Sequence, residues 1–169
     1  MELSYRIVIL IIATLLTGLS AGLCFTWANA VTPGIGRLDA LGYLQSFQEM
    51  NRAIINPTFL LVFFGPVLMH GWNLFVYRNA PDNQLWLLIT AAVMYFLGVV
   101  LVTIFGNVPL NEMLDKTDLA QASLSDLQAF RERFEQKWNR LHLIRTLTAT
   151  SSFLLLLLSL VLSAKSIPN

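Results

Sequence analysis

His142 and Arg145 are three residues apart and Trp138 precedes His142 by four, so on an α-helix all three project from one face. A cationic neighbour keeps an imidazole neutral, as a general base must be, and Arg145 could then hold an enolate or phenolate oxygen. The same pair also fits an arginine that snorkels at a membrane surface beside a solvated histidine. Carboxamides extend the set: Asn51 and Asn56 with Arg52 in one stretch, Asn107 and Asn111 in another, and Asn29 and Asn139 besides. Few polar groups converging on apolar walls is the usual composition of a ligand site, and capping of helix ends is the alternative use of these asparagines.

Metal chemistry has little to draw on. The two histidines, His70 and His142, lie in different segments without a second His, Cys or carboxylate at ligand spacing, so no metal site is expected. His70 reads as a hydrogen-bonded packing residue. Cys24, the single cysteine, permits no internal disulfide and reads as a small core residue.

These groups are set in an unusually apolar chain. Of 169 residues, 56% are hydrophobic and 12% charged, with a mean hydropathy of +0.63. A soluble domain would carry about 25% charged residues. The formal charge of +1 offers no basic field for nucleic acid, which is excluded as a partner. The expectation is an all-α, polytopic membrane protein formed as one domain over residues 1–169.

A membrane-crossing helix needs about 20 predominantly apolar residues. Four stretches qualify, about 7–30, 57–77, 85–105 and 147–164, and none contains Asp, Glu, Lys or Arg. Ala28-Asn29-Ala30 resembles a signal-peptidase site, but the apolar stretch before it is longer than a signal core, so an uncleaved helix is expected. An even number of spans puts both termini on one face and the two long connections on the other. The raw Lys/Arg excess lies on the loop side, but most of those residues are interleaved with acids in amphipathic helix, and with that signal discounted the expectation is cytoplasmic termini in a bacterial inner membrane.

Both long connections carry helical periodicity. Leu41, Leu44, Phe47, Met50 and Ile54 mark one amphipathic helix over Asp39 to Ile55. Leu127, Phe130, Phe134, Trp138 and Leu141 mark the other, with Ser123 and Ser125 as candidate N-caps. No Gly or Pro interrupts Ser125 to Ile167, so this helix can run into the fourth span. The pattern predicts a four-helix transmembrane bundle with two amphipathic helical connections over the mouth where the polar candidates gather. Gly18 and Gly22 form a small-residue stripe for close packing, and Pro66 loosens the second span.

Three strings together resemble a known family: Asn51-Arg52-Ala53-Ile54-Ile55-Asn56-Pro57-Thr58-Phe59, Gly106-Asn107-Val108-Pro109-Leu110-Asn111, and Trp138-x-x-x-His142-x-x-Arg145-Thr146. The chain is similar over nearly its whole length to the small four-span membrane proteins that include the anthrone oxygenases of aromatic polyketide pathways. His142 departs from that pattern, since many members carry asparagine there. The resemblance implies an oxidoreductase acting with O2 on a lipophilic aromatic or quinone-like compound, without cofactor. The candidate catalytic residues are then His142, Arg145, Asn107 and Asn111, with Glu49 as a second candidate base. Asn51, Asn56 and Trp138 are candidate substrate-binding residues. A non-catalytic membrane module that binds a lipid or a partner protein is the competing reading. A transporter is the weakest, for want of charge in the spans.

Overall fold

The structure, a computed structural model, describes residues 4–165 and is all-helical across them. Four helices are long and apolar enough to cross a membrane: α1 (Tyr5–Ile35), α3 (Pro57–Val76), α4 (Asp82–Asp115) and α5 (Leu124–Lys165). Between the first two runs α2 (Ala40–Ile54). Expected and observed spans agree in number and place, but α1, α4 and α5 extend further towards the loop side. The amphipathic segment before the fourth span continues into it as one helix of 42 residues, about 63 Å at 1.5 Å per residue. That is twice the roughly 30 Å of a bilayer's hydrocarbon layer, so the first half of α5 stands clear of it.

Local chemistry starts and stops these helices where the sequence placed the signals. Asp39 caps α2 by accepting from the Gly42 N–H at 2.7 Å, and Asn56 caps α3 by accepting from the Phe59 N–H at 2.9 Å. Ser123 caps α5, accepting from the Asp126 N–H at 3.2 Å. Two wide, π-helical turns interrupt the long helices, Trp27–Val31 in α1 and Thr103–Asn107 in α4, and Pro33 and Pro109 follow them closely. A proline ring clashes with the carbonyl four residues back and lacks an N–H to bond it, and a widened turn relieves both problems. A third such turn, Phe96–Leu101, contains Gly98 at the closest approach of α4 to α5.

α1 packs against α3 and α5, and α4 closes the ring by packing against α5 and α3, each helix antiparallel to its neighbours. Buried polar links stitch the middle of this bundle. The Ser152 hydroxyl donates to the Ala91 carbonyl at 2.8 Å and so accepts, at 3.4 Å, from His70 Nε2. His70 thereby joins α3 to α5 as the packing residue its sequence context suggested. The Tyr95 hydroxyl donates to the Phe63 carbonyl at 2.9 Å, beside Pro66, and accepts from Ser20 at 2.8 Å.

α2 and the first half of α5 form a roof over the loop-side end. Tyr43, Leu44 and Phe47 of α2 are buried against Phe134 and Trp138 of α5 and Leu110 and Leu114 of α4. Phe47 meets Phe134 and Trp138 edge-on, with ring centroids 4.9 and 4.8 Å apart. Gln48 donates to the Leu114 and Thr117 carbonyls at 2.8 and 3.1 Å, tying α2 to the end of α4 and the turn after it. Arg131 bonds the Gly36 and Leu38 carbonyls, each at 2.7 Å, and lies over the Tyr43 ring. Burial of Tyr43, reinforced by the Glu135 carboxylate, pushes its phenol pKa above the usual range.

The glycines separate into two kinds. A Cβ on Gly98 would lie 2.4 Å from the Thr148 side chain, and one on Gly18 would lie 2.8 Å from the Phe153 ring, whereas Gly22 has nothing within 4 Å. Half of the small-residue stripe therefore packs inside the bundle. Gly98→Ala should destabilise the protein by about 1–3 kcal/mol because a rigid β-branched side chain must shift, seen as a lower melting temperature in detergent. Gly22→Ala should melt with the wild type.

Candidate functional site

Beneath the roof, α1, α3, α4 and α5 enclose a cavity of about 320 Å³ at the loop-side end of the bundle. Its walls are mostly apolar, from Leu23 and Trp27 of α1, Ile54 of α2, Phe59, Val62 and Phe63 of α3, and Val108 of α4. Asn51, Asn111, Trp138, His142 and Arg145 all line it, so three of the five helices, α2, α4 and α5, bring the sequence candidates to one space. Arg52, Glu112, Asp115 and Lys116 edge its mouth. Arg52 bonds both Asp115 and Glu49 at 2.8 Å, and Lys116 lies 3.6 Å from Glu112.

Arg145 is the centre of this geometry. Its Nη2 donates to His142 Nδ1 at 2.6 Å and its Nη1 donates to Thr103 Oγ1 at 3.2 Å. The guanidinium also lies over the Trp138 ring, 5.3 Å from its centroid. Among the described residues no carboxylate forms an ion pair with it. Its Nε is buried and bonded to nothing. A cation half-buried in an apolar wall without a counter-charge is costly, and it creates a strong site for an anionic oxygen.

An arginine can only donate, which fixes the protons of its neighbour. His142 Nδ1 must accept, so the ring is neutral with its proton on Nε2, which donates to the Cys24 carbonyl at 3.0 Å. The imidazole also stacks on Trp138, centroids 4.8 Å apart and planes 16° from parallel. His142 is therefore neutral, but not in the arrangement that a base needs. Both ring nitrogens are already engaged, and neither is open to take a proton from a ligand.

The remaining candidates divide by placement. Trp138 donates its indole N–H to Asn111 Oδ1 at 2.8 Å, which leaves the amide NH2 of Asn111 as its free end. Asn51 has a buried, unpartnered Nδ2 in the cavity wall. Asn107, 1% exposed, stands behind that wall, where its Nδ2 reaches the Trp138 carbonyl at 3.4 Å. Asn56 uses its carboxamide as the α3 cap, donating to the Ala53 carbonyl at 3.0 Å as well. Glu49 is engaged by Arg52 and does not line the cavity.

Sequence reasoning passed over three groups that matter here. Trp27 presents a buried indole N–H without a partner, Thr103 orients Arg145, and Cys24 supplies both a wall and the carbonyl that holds His142. Trp27 and Thr103 each begin a π-helical turn, and Pro33 and Pro109 downstream were the signals for those turns. Three buried donors, Trp27 Nε1, Asn51 Nδ2 and Arg145 Nε, therefore lack partners around one cavity. The unpartnered buried acceptors, Asn73, Asn107 and Asn139, do not line it. Among the described residues no three His, Cys, Asp or Glu side chains gather as a metal site.

Arg145 without a counter-charge should be dispensable for folding. Arg145→Met should leave thermal stability in detergent within about 1 kcal/mol of wild type, or raise it, because the variant loses two hydrogen bonds but also removes an uncompensated charge. A large loss of melting temperature would instead make the arginine structural.

Comparison with known proteins bears on the same region. No curated protein and no solved structure gives a significant match. A family model described as anthrone oxygenase matches residues 22–155, which include every residue lining the cavity except Ser20. That match spans well over half of the 169 residues, and the chain belongs to the anthrone oxygenase family.

Proposed function

We propose that this protein oxygenates a lipophilic aromatic ketone of the anthrone type, using O2 and no cofactor, in the cavity beside Arg145. One observation carries the reading: an apolar chamber lined by Trp27, Asn51 and Arg145, each holding a buried donor without a partner, the last an arginine that no carboxylate pairs with among the described residues. Such a chamber suits a flat apolar body bearing an oxygen that becomes negative during reaction.

The chemistry follows from the substrate's own acidity. A ring CH2 conjugated to an aromatic ketone loses a proton to give an enolate, whose charge rests on the former ketone oxygen. Arg145 stabilises that oxygen, with Trp27 Nε1 and Asn51 Nδ2 as further donors. The enolate carbon passes one electron to O2, and the resulting radical and superoxide combine to a peroxide. Protonation of the peroxide, then loss of the second ring hydrogen as a proton and of hydroxide, gives the quinone and one water. Every electron comes from the substrate, so the balance needs no other reductant.

His142 serves as a support for Arg145 in this scheme. The proton acceptor is Glu112, the carboxylate at the cavity whose 3.6 Å pairing to Lys116 is looser than the 2.8 Å pairing of Asp115 to Arg52. Asn107 acts from behind the wall by holding the Trp138 segment. The apolar spans support a multi-pass location, and Arg6, Arg78 and Lys165 at the span ends favour cytoplasmic termini in a bacterial inner membrane.

Oxygen consumption by the purified protein with anthrone should match quinone formation one to one. Arg145→Gln should lower kcat by about 10²-fold or more, and Glu112→Gln by about 10²-fold. Glu49→Gln, on the exposed face of α2, should leave turnover unchanged. Full turnover in Arg145→Gln would overturn the proposal. A copurified lipid with no turnover of any aromatic ketone would favour the binding-module reading.

A further inference from the structure

α3 and α4 part company as they approach the cavity. α3 packs along the Asp82–Tyr95 half of α4 and shares one buried cluster, Phe63 with Val99 and Val100, with the start of the Phe96–Asp115 half, and among the described residues no comparable backbone approach joins α3 to the rest of that half. Phe59 and Val62 of α3 nevertheless line the cavity from one side, as Val108 of α4 does from the other. The gap between these helices is therefore a wall of the cavity that no helix fills. Its edges are apolar and open: Ile55 is 73% exposed and Phe105 77%, and Val108 is exposed as well.

Depth decides what faces this gap. Phe59 and Val62 lie within the first two turns of α3, and Phe105 and Val108 sit at the matching end of α4, inside or at the edge of the apolar spans. At that level the surroundings are acyl chains. The aqueous end is obstructed instead, because α2 roofs the cavity and its Arg52 is tied to Asp115 at the end of α4. A water-soluble ligand would have to part an ion pair, whereas an apolar one in the membrane meets only exposed side chains.

We propose that the opening between α3 and α4 is a lateral portal, through which an apolar ligand passes from the loop-side leaflet of the bilayer into the cavity. The proposal deepens the oxygenase reading by assigning the route and the class of ligand, a membrane-dissolved molecule. It also accounts for a mouth carrying Arg52, Glu112, Asp115 and Lys116 in a cavity whose other walls are apolar. The charged side meets water, and the apolar side meets lipid.

The chain holds its own probes. Its tryptophans are Trp27, Trp72, Trp86 and Trp138. Trp72 and Trp86 are exposed, while Trp27 and Trp138 line the cavity. In a Trp72→Phe/Trp86→Phe protein reconstituted into phosphatidylcholine vesicles, all emission comes from the cavity. Acyl chains brominated near the headgroup should quench that emission by about half or more, and iodide in the buffer should quench it much less. Val108→Phe, which narrows the opening, should restore most of the emission in brominated lipid. No quenching by brominated lipid, stronger quenching by iodide, or quenching that Val108→Phe leaves unchanged would overturn the portal. Circular dichroism and melting of each variant show whether it has folded, and Val108→Leu provides a milder narrowing if Val108→Phe has not. The readout needs no turnover, so its failure and failure of the oxygenase reading are distinguishable.

Discussion

The guanidinium of Arg145 lies in an apolar cavity wall, where no carboxylate among the described residues pairs with it, and the loop-side half of the protein is arranged so that it can stay there. A partly buried charge left unpaired costs several kcal/mol if water cannot reach it. Three partial compensations hold it: the lone pair of His142 Nδ1, the hydroxyl oxygen of Thr103, and the face of Trp138. None of them carries negative charge. The cation is thus positioned without being neutralised, which is the condition for stabilising a charge that appears only during reaction.

Each compensation is itself held from behind. His142 is clamped between Arg145, the Cys24 carbonyl and the Trp138 ring. Trp138 is locked edge-on by Phe47 and by its hydrogen bond to Asn111. Phe47 comes from α2, whose place over the bundle depends on Gln48 bonding the end of α4. Thr103 stands at the start of a π-helical turn and donates to Val99 at 2.6 Å, so its oxygen is turned to accept. Rigid aromatic packing in the roof therefore becomes orientation of one cation beneath it.

The helices were legible because their signals are local. Span number follows from uninterrupted apolar length, and the caps at Asn56 and Ser123 follow from residue type. The gathering of Asn51, Asn111, Trp138, His142 and Arg145 at one end was also legible, since each lies at the same end of its span. What each does there was not. Asn107 ends a π-helical turn and Asn111 lies one α-helical turn further on, so the sequence spacing puts them on one face, and only the packing around them separates Asn111 in the wall from Asn107 behind it. Neither a base nor a solvated imidazole, the two readings open for His142 in the sequence, anticipates that its second nitrogen is taken by a backbone carbonyl of α1, 118 residues away. Backbone acceptors carry no mark in a sequence. Cys24 and Trp27 were overlooked as site residues for a related reason, since apolar residue types inside a span look the same whether they face lipid, core or cavity.

The central claim is that Arg145 stabilises an oxyanion on a bound aromatic molecule, and the absorption spectrum of a bound hydroxyanthraquinone tests it directly. Such a dye changes colour when its hydroxyl ionises, so its spectrum reports the charge on the oxygen itself. At a pH where the free dye is neutral, the wild-type protein should bind it in the ionised form, and Arg145→Gln should bind it in the neutral form. The same spectrum with both proteins would contradict the account, since the cavity would then be holding the aromatic body without acting on its charge.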